Sequence, residues 1–249
     1  MAVPQNVFVG TVARDYDALE STLSRPAPVD SAVAFLAEVA GGGAALEFAI
    51  GTGRIALPLH AAGVAVHGIE ISADMVDELR RKPGGGEGRI PVAVGDMATT
   101  RVAGEFALVY LVYNTIQNLL EQDEQVACFR NAAAHLAPGG CFVVESGVPS
   151  VRRLPPGTSA VPFDVSARHL GFDTYELARQ RLTSHHYFTD EDGTTTYSAT
   201  QHRFVWPAEL DLMARLAGLE LRERWSNWER DPFTDDSESH VSVWTKPPA

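Results

Sequence analysis

From residue 31 to about residue 146, short apolar runs alternate with longer stretches whose apolar side chains recur every three or four positions. The apolar runs at 45–50, 64–69, 90–94, 107–112 and 141–145 have strand length. A run that is apolar throughout suits a strand covered on both faces. Helix signals fall between them. A helix over 31–39 follows Asp30, which is placed to cap it, and stops at Gly41, Gly42 and Gly43. In SADMVDELRRKPGG, Ser72 is placed to cap and Asp74 lies in the first turn. Arg80, Arg81 and Lys82 lie in the last turn, and Pro83 and Gly84 end it. In EQDEQVACFRNAAAHLAPGG the acids lead, and Val126, Phe129, Ala133 and Leu136 form one apolar stripe. Strand–helix alternation of this kind predicts an α/β fold with a parallel sheet between two helical layers.

The pattern changes after Pro149. Residues 150–205 are rich in Thr, Tyr, Ser and His, and RQRLTSHHYF and TTTYSATQHRFV alternate with the period of strands. Between these runs, Asp190, Glu191, Asp192 and Gly193 form a hairpin turn. This segment predicts a small antiparallel sheet of three or four strands inserted into the main fold. Pro207 then opens a helix with Leu210, Met213 and Leu216 turned inward and Gly218 at its end. Two strands, at 219–225 and 240–244, close the chain around an acidic, aromatic loop. Residues 1–30 are poorly periodic and carry Pro26 and Pro28. The expected organisation is therefore a principal domain of 31–149 and 206–249, an insertion at 150–205 and a separate N-terminal segment at 1–30.

The segment richest in chemistry is ALEFAIGTGRIALPL. An apolar strand runs into Gly51, Thr52 and Gly53, with a helix expected directly after. Glycine lets the backbone approach a ligand, and a helix start offers free N–H groups and partial positive charge. Glu70, at the end of the next strand, is placed to accept both hydroxyls of a ribose. Together these residues indicate a cofactor containing adenosine. Spacing alone leaves two open, because Gly51, Gly53 and Ala56 also satisfy the pattern of a nicotinamide dinucleotide fold.

The wider segment resembles the class I S-adenosylmethionine-dependent methyltransferases. Their first motif is an acidic residue followed by glycines at alternate positions. Glu47, Ala49, Gly51 and Gly53 match it, with Ala49 where the family has its first glycine. The resemblance continues through Gly95-Asp96-Met97, EFALVYLVYNTIQNL, LAPGGCFVVE, WPAELDLMARLAGLELRERW and SHVSVW. It is similar to small-molecule methyltransferases of actinobacterial type, to sugar N-methyltransferases and to glycine N-methyltransferase. The resemblance implies a Rossmann-like seven-stranded methyltransferase sheet, with its last strand antiparallel and a small inserted antiparallel β-sheet. It also implies S-adenosylmethionine as cofactor, held by Glu47, Ala49, Gly51, Gly53, Glu70, Ile71, Met75, Asp96, Met97 and Leu111. Tyr16 of the N-terminal segment would fold over it as part of a lid.

The expected activity is methyl transfer to an oxygen or nitrogen of a small molecule, such as a sugar or natural-product intermediate. Alignment and desolvation would carry it, without a metal. The loops beyond the strand ends supply acceptor-site candidates: Tyr113, Asn114 and Gln117 after the fourth strand, and Trp228, Asp231, Phe233 and His240 near the last. Asn114, with His185 or His186 of the insertion, is the candidate catalytic group. Adjacent strand residues point to opposite faces, so only one of the two histidines turns toward a given site. A non-catalytic binder of the same cofactor and an NAD(P)-dependent oxidoreductase are the competing readings.

Composition narrows the partners. With 20 Lys and Arg against 32 Asp and Glu, the formal charge of −12 argues against a sequence-independent grip on nucleic acid. No apolar run approaches the ~20 residues of a membrane span. The first sixteen residues lack the pattern of a secretion signal. Cys128 and Cys141 read as buried thiols in a reducing compartment, and the expected location is cytoplasmic. The free edges of the inserted sheet suggest a homodimer.

Overall fold

The computed structural model describes residues 6, 8–22, 29–86, 88–149 and 154–248. The five apolar runs become β1 (Ala45–Phe48), β2 (Val66–Glu70), β3 (Val92–Val94), β4 (Phe106–Leu111) and β5 (Leu136–Gly147). They pair in parallel. Near the C-terminus, β10 (Glu220–Trp225) and β11 (Ser239–Thr245) extend the sheet, with β11 antiparallel to both β5 and β10. The resulting order is β10-β11-β5-β4-β1-β2-β3. It reverses beside β1, and the carboxyl ends on either side of that point make the natural crevice of an open α/β sheet.

Helices cover both faces, so β1, most of β4 and the middle of β5 are buried on both. One layer contains α2 (Val29–Ala40) and α3 (Ala56–Ala61), which pack with Phe35, Leu36 and Leu59 onto Tyr110, Val143 and Val241. The other contains α5 (Gln122–His135) and α6 (Pro207–Leu216), where Phe129 and Leu210 meet Phe142 and Trp244. Glu121 and Glu124 form the reciprocal capping box that starts α5. In α4 (Ala73–Arg81), Ser72 Oγ accepts the Met75 N–H at 3.3 Å, as the sequence predicted.

A second sheet lies in the chain between β5 and α6. Strands β6 (Ala160–Val165), β7 (His169–Glu176), β8 (Arg181–Thr189) and β9 (Thr195–Arg203) pair antiparallel in that order. The β8–β9 turn falls at Asp190–Gly193, where Gly193 has φ +86°. Arg203 anchors the return to α6 by an ion pair with Glu209 at 2.7 Å.

Five local expectations need correction. Leu216, expected to turn inward on α6, is 54% exposed, while Leu210 and Met213 are buried. The N-terminal segment contains a helix, α1 (Thr11–Thr22), whose only described buried apolar side chain is Ala13. It therefore has no apolar stripe to read. Polar contacts hold it instead, including the Gly10 N–H to Asp74 Oδ2 at 2.6 Å and Thr52 Oγ1–H to Asp17 Oδ1 at 2.7 Å. Helix α2 begins at Val29, so Asp30 sits in its first turn rather than capping it. The glycine turn does not open directly into a helix, since α3 starts only at Ala56 and lasts six residues. Leu136 belongs to β5 rather than to the stripe of α5, which ends at His135.

Candidate active site

A cavity of about 800 Å³ opens beyond the carboxyl ends of β1, β2 and β4 and reaches the second sheet. That size suits a cofactor together with a small acceptor. Its floor is the turn after β1. Gly51 and Gly53 have φ of +56° and +80°, in the left-handed region that favours glycine. A Cβ at Gly53 would stand 2.9 Å from Leu79, so this glycine lets the turn pack on α4 from behind the cavity wall. Ala49 also has a left-handed backbone, with φ +52°.

Two buried carboxylates face the cavity from the strand ends. Glu70 accepts the Gly51 N–H at 2.8 Å on one oxygen and the Ser72 N–H at 2.9 Å on the other. Each oxygen keeps a further lone pair, enough for a bidentate contact with a diol. Burial raises the Glu70 carboxyl above its usual range, while the Ser72 and Gly51 N–H groups pull it back. Glu47 accepts the Tyr110 hydroxyl at 2.8 Å, and burial pushes it up to about 8. Asp96 accepts the Ala98 N–H at 2.8 Å and lines the cavity beside Met97. Ile71, Met75 and Ala49 also line it, whereas Leu111 lies behind the wall in the core. The N-terminal segment reaches the cavity through Tyr16, whose ring meets Phe8 edge-on at 5.9 Å. A buried ribose-type carboxylate, a glycine floor and an apolar slot at Met97 fit an adenosine group.

In the loop after β4, Tyr113 lines the cavity but Asn114 and Gln117 do not. Tyr113 and Asn114 are consecutive left-handed residues, with φ of +58° and +59°. Glu145 holds this corner, accepting the Tyr113 N–H at 2.9 Å and the Trp228 Nε1–H at 3.0 Å. Asn114 Oδ1 accepts the Gly147 N–H at 2.5 Å, and Gln117 donates to Ser146 Oγ at 3.1 Å. These side chains tie the loop to β5. Trp228 is buried against Phe35 with ring centroids 5.4 Å apart. His240 is buried within β11 and bonded to Ser242 at 2.8 Å. Burial, then Arg224, lower its pKa to about 3, so it is a neutral packing group. Asp231 bonds Asn227 at 2.8 Å, and Phe233 lies edge-on to His240 at 6.2 Å. None of these four lines the cavity.

The two histidines of β8 part as strand geometry requires. His186 lines the cavity with Ser184, Thr200 and His202. His185 lies on the opposite face, bonded to Thr174 at 3.0 Å and to Tyr197 at 2.8 Å. Sequence reasoning missed Thr52, Arg54, Thr200 and His202 in the wall and Glu145 behind it. Arg54, whose guanidinium lies 4.7 Å from the Tyr113 ring centroid, sits within the glycine motif itself. Thr200 and His202 share one face of β9 by alternation, the signal that could have found them.

Residues 45–140 match a family model described as a methyltransferase domain. The chain is 34% identical to the CcbJ methyltransferase of Streptomyces caelestis, whose solved structure superposes with a TM-score of 0.86. That likeness covers 98% of this chain and 100% of the other. The chain belongs to the class I S-adenosylmethionine-dependent methyltransferases, and S-adenosylmethionine is its cofactor. It is also 27% identical to a cypemycin N-terminal methyltransferase from a Streptomyces species, over 96% of this chain and 97% of the relative. CalS10, an amino pentose methyltransferase of Micromonospora echinaspora, shares the fold at 20% identity and TM-score 0.69, over 98% of this chain and all of that one. The nicotinamide reading and the non-catalytic reading are not favoured. Among the described residues no helix is long and apolar enough to cross a membrane.

Proposed function

We propose that the chain methylates a nitrogen or oxygen, with an amine preferred, on a sugar-like or peptide-like natural-product intermediate. The observation that carries this reading is the continuity of one cavity from Glu70 and Asp96 to Ser184, His186, Thr200 and His202. The first end is apolar with carboxylate anchors. The second offers neutral hydrogen-bonding groups spaced along two strands, which suits a polar acceptor rather than a flat hydrocarbon. The amine preference rests on the relatives, since the cypemycin enzyme is an N-methyltransferase.

In this reading Glu70 holds the ribose, and Asp96 and Met97 hold the adenine. Glu47, Ala49, Gly51, Ile71 and Met75 shape the rest of the cofactor site, with Gly53 and Leu111 supporting it from behind. When bound, S-adenosylmethionine supplies a methyl group already activated on a sulfonium centre. The protein then has to align the acceptor, exclude water and receive a proton. Tyr113 lines the same cavity, with the Arg54 guanidinium 4.7 Å from its ring centroid. Residues 31–149 and 206–249 would act as the cofactor domain, 150–205 as the acceptor region, and 1–30 as a lid carrying Tyr16.

Turnover against a panel of amino sugars, peptide N-termini and sugar hydroxyls, read by mass, tests the acceptor class. Gain of one methyl group on amines supports the reading. Methylation confined to hydroxyls overturns the amine preference. A homodimer through the second sheet belongs to the same proposal, with β6 and β9 as its edges. Only monomers in sedimentation at micromolar concentration would remove it.

A further inference from the structure

The second sheet holds a connected row of side chains that cofactor binding leaves without a role. Asp164 on β6 lies with Oδ2 2.7 Å from His169 Nδ1 on β7. His169 Nε2 lies 3.0 Å from His186 Nδ1 on β8. The two imidazole planes are within 6° of parallel. Phe188 stacks on His169 at 4.3 Å, and the Phe163 ring lies 5.2 Å from His186. Gly171 stands directly across from His186, and a Cβ there would come within 2.2 Å of Phe163. The glycine thus makes room for the aromatic cover. The Asp164 side chain is 39% exposed and that of His169 13%, while His186 is half-buried and lines the cavity. The row runs from solvent to the acceptor end.

Donor and acceptor roles along the row follow from the carboxylate. An ionised Asp only accepts, so His169 carries its proton on Nδ1. Neutral His169 then accepts at Nε2, and His186 must donate from Nδ1. His186 Nε2 is left with a lone pair, on a ring that lines the cavity.

We propose that His186 is the proton acceptor for methyl transfer, with His169 and Asp164 as the positioning residues that hold it in its Nδ1–H tautomer. The inference rests on the methyl-transfer reading. When the acceptor's lone pair takes the methyl group, the carbon–sulfur bond that carried it breaks with its electron pair left on sulfur. The acceptor's N–H or O–H bond breaks with its electron pair left on the acceptor atom. The proton joins His186 Nε2, giving an imidazolium whose Nδ1–H still points at His169. Asp164 balances the new charge through His169, in the manner of a catalytic triad. The proton passes to water when the product leaves. The charged and titratable groups around His186 are His169 and Asp173 of β7, Asp164 of β6, His202 of β9 and His185 of its own strand. Burial and His169 lower the His186 pKa, while Asp173 raises it. His186 is therefore unprotonated and ready to accept at neutral pH.

The test is two-bond proton–nitrogen correlation of the histidine rings in protein saturated with S-adenosylhomocysteine, recorded across pH 5–9. In the wild type, neutral His186 and His169 should both carry their proton on Nδ1. In His169→Phe, His186 should revert to the Nε2–H form that free imidazole side chains prefer. In Asp164→Asn, whose amide can donate as well as accept, the Nδ1–H preference of His169 should weaken. Affinity for S-adenosylhomocysteine should stay within twofold in all variants, which separates these effects from misfolding. With a turnover acceptor, His186→Asn should lower kcat at least a hundredfold with KM unchanged. An Nε2–H wild-type His186, an Nδ1–H form that survives His169→Phe, or wild-type kcat in His186→Asn would overturn the proposal. Failure of the wild type to bind S-adenosylhomocysteine would instead strike the methyl-transfer reading.

Discussion

Two residues at the cofactor end carry costs that the structure makes measurable. Ala49 replaces a family glycine and takes φ +52°. A left-handed conformation costs an L-residue about 1–2 kcal/mol, and the extra unfolded-state freedom of glycine returns about 0.5–1 kcal/mol of that. Ala49→Gly should therefore stabilise the protein by about 0.5–1 kcal/mol, or about 1–4 °C in Tm for a chain of this size. A Tm equal to or below wild type would mean that the Ala49 methyl group makes contacts that outweigh its strain. Glu47 has an ordinary pKa of 4.5 and a buried one of about 8. Between those values the folded chain keeps a proton that the unfolded chain releases. Its contribution to stability is complete below pH about 4.5 and is lost as pH rises toward 8. Ligand-free wild type should lose Tm over that range more steeply than Glu47→Gln, which keeps an acceptor for Tyr110. Parallel Tm–pH curves would contradict the assignment.

At the scale of elements, the start of α4 joins the cofactor floor to the N-terminal segment. Ser72 caps the helix, donates to the Phe8 carbonyl, and gives its N–H to Glu70 at 2.9 Å. Ser72→Ala should cost about 1 kcal/mol from the cap alone. It should also speed proteolytic cleavage ahead of Thr11. A normal cleavage rate would show that the α1 contacts alone hold the segment down. This strap was not legible in the sequence, because α1 is held by Asp17, Asp74 and Lys82 through polar pairs rather than by a periodic apolar face. The parallel strands were legible, because burial on both faces leaves a continuous apolar run. The same property hid the placement of His240. It lies in β11, where residues 240–244 are all buried, so alternation gives no clue to which face meets a cavity. In β8 alternation separated His185 from His186, but only the packing of the second sheet shows which one lines the cavity. Trp228 was read as wall and is core, because the sequence does not say to which side a loop folds.

The whole molecule divides its work between two sheets. The seven-stranded sheet supplies a rigid crevice at the point where its strand order reverses. The second sheet brings a polar face over the open end of that crevice. Glu145 links loop to loop, since one carboxylate fixes both the Tyr113 corner and buried Trp228. The fold was readable because its strands follow a general pattern. The part of the cavity wall on the second sheet was less so, because those strands mix aromatic and polar residues on both faces and no motif marks Ser184, Thr200 or His202 as facing inward.

The most direct test of the account is calorimetric titration of S-adenosylhomocysteine and of the nicotinamide dinucleotides, on wild type and on Glu70→Ala. The wild type should bind S-adenosylhomocysteine at micromolar affinity and neither of the dinucleotides. In the variant, affinity should fall at least tenfold, about 1.4 kcal/mol. Dinucleotide binding, or an unchanged affinity in Glu70→Ala, would contradict the assignment of this cavity and of its ribose anchor.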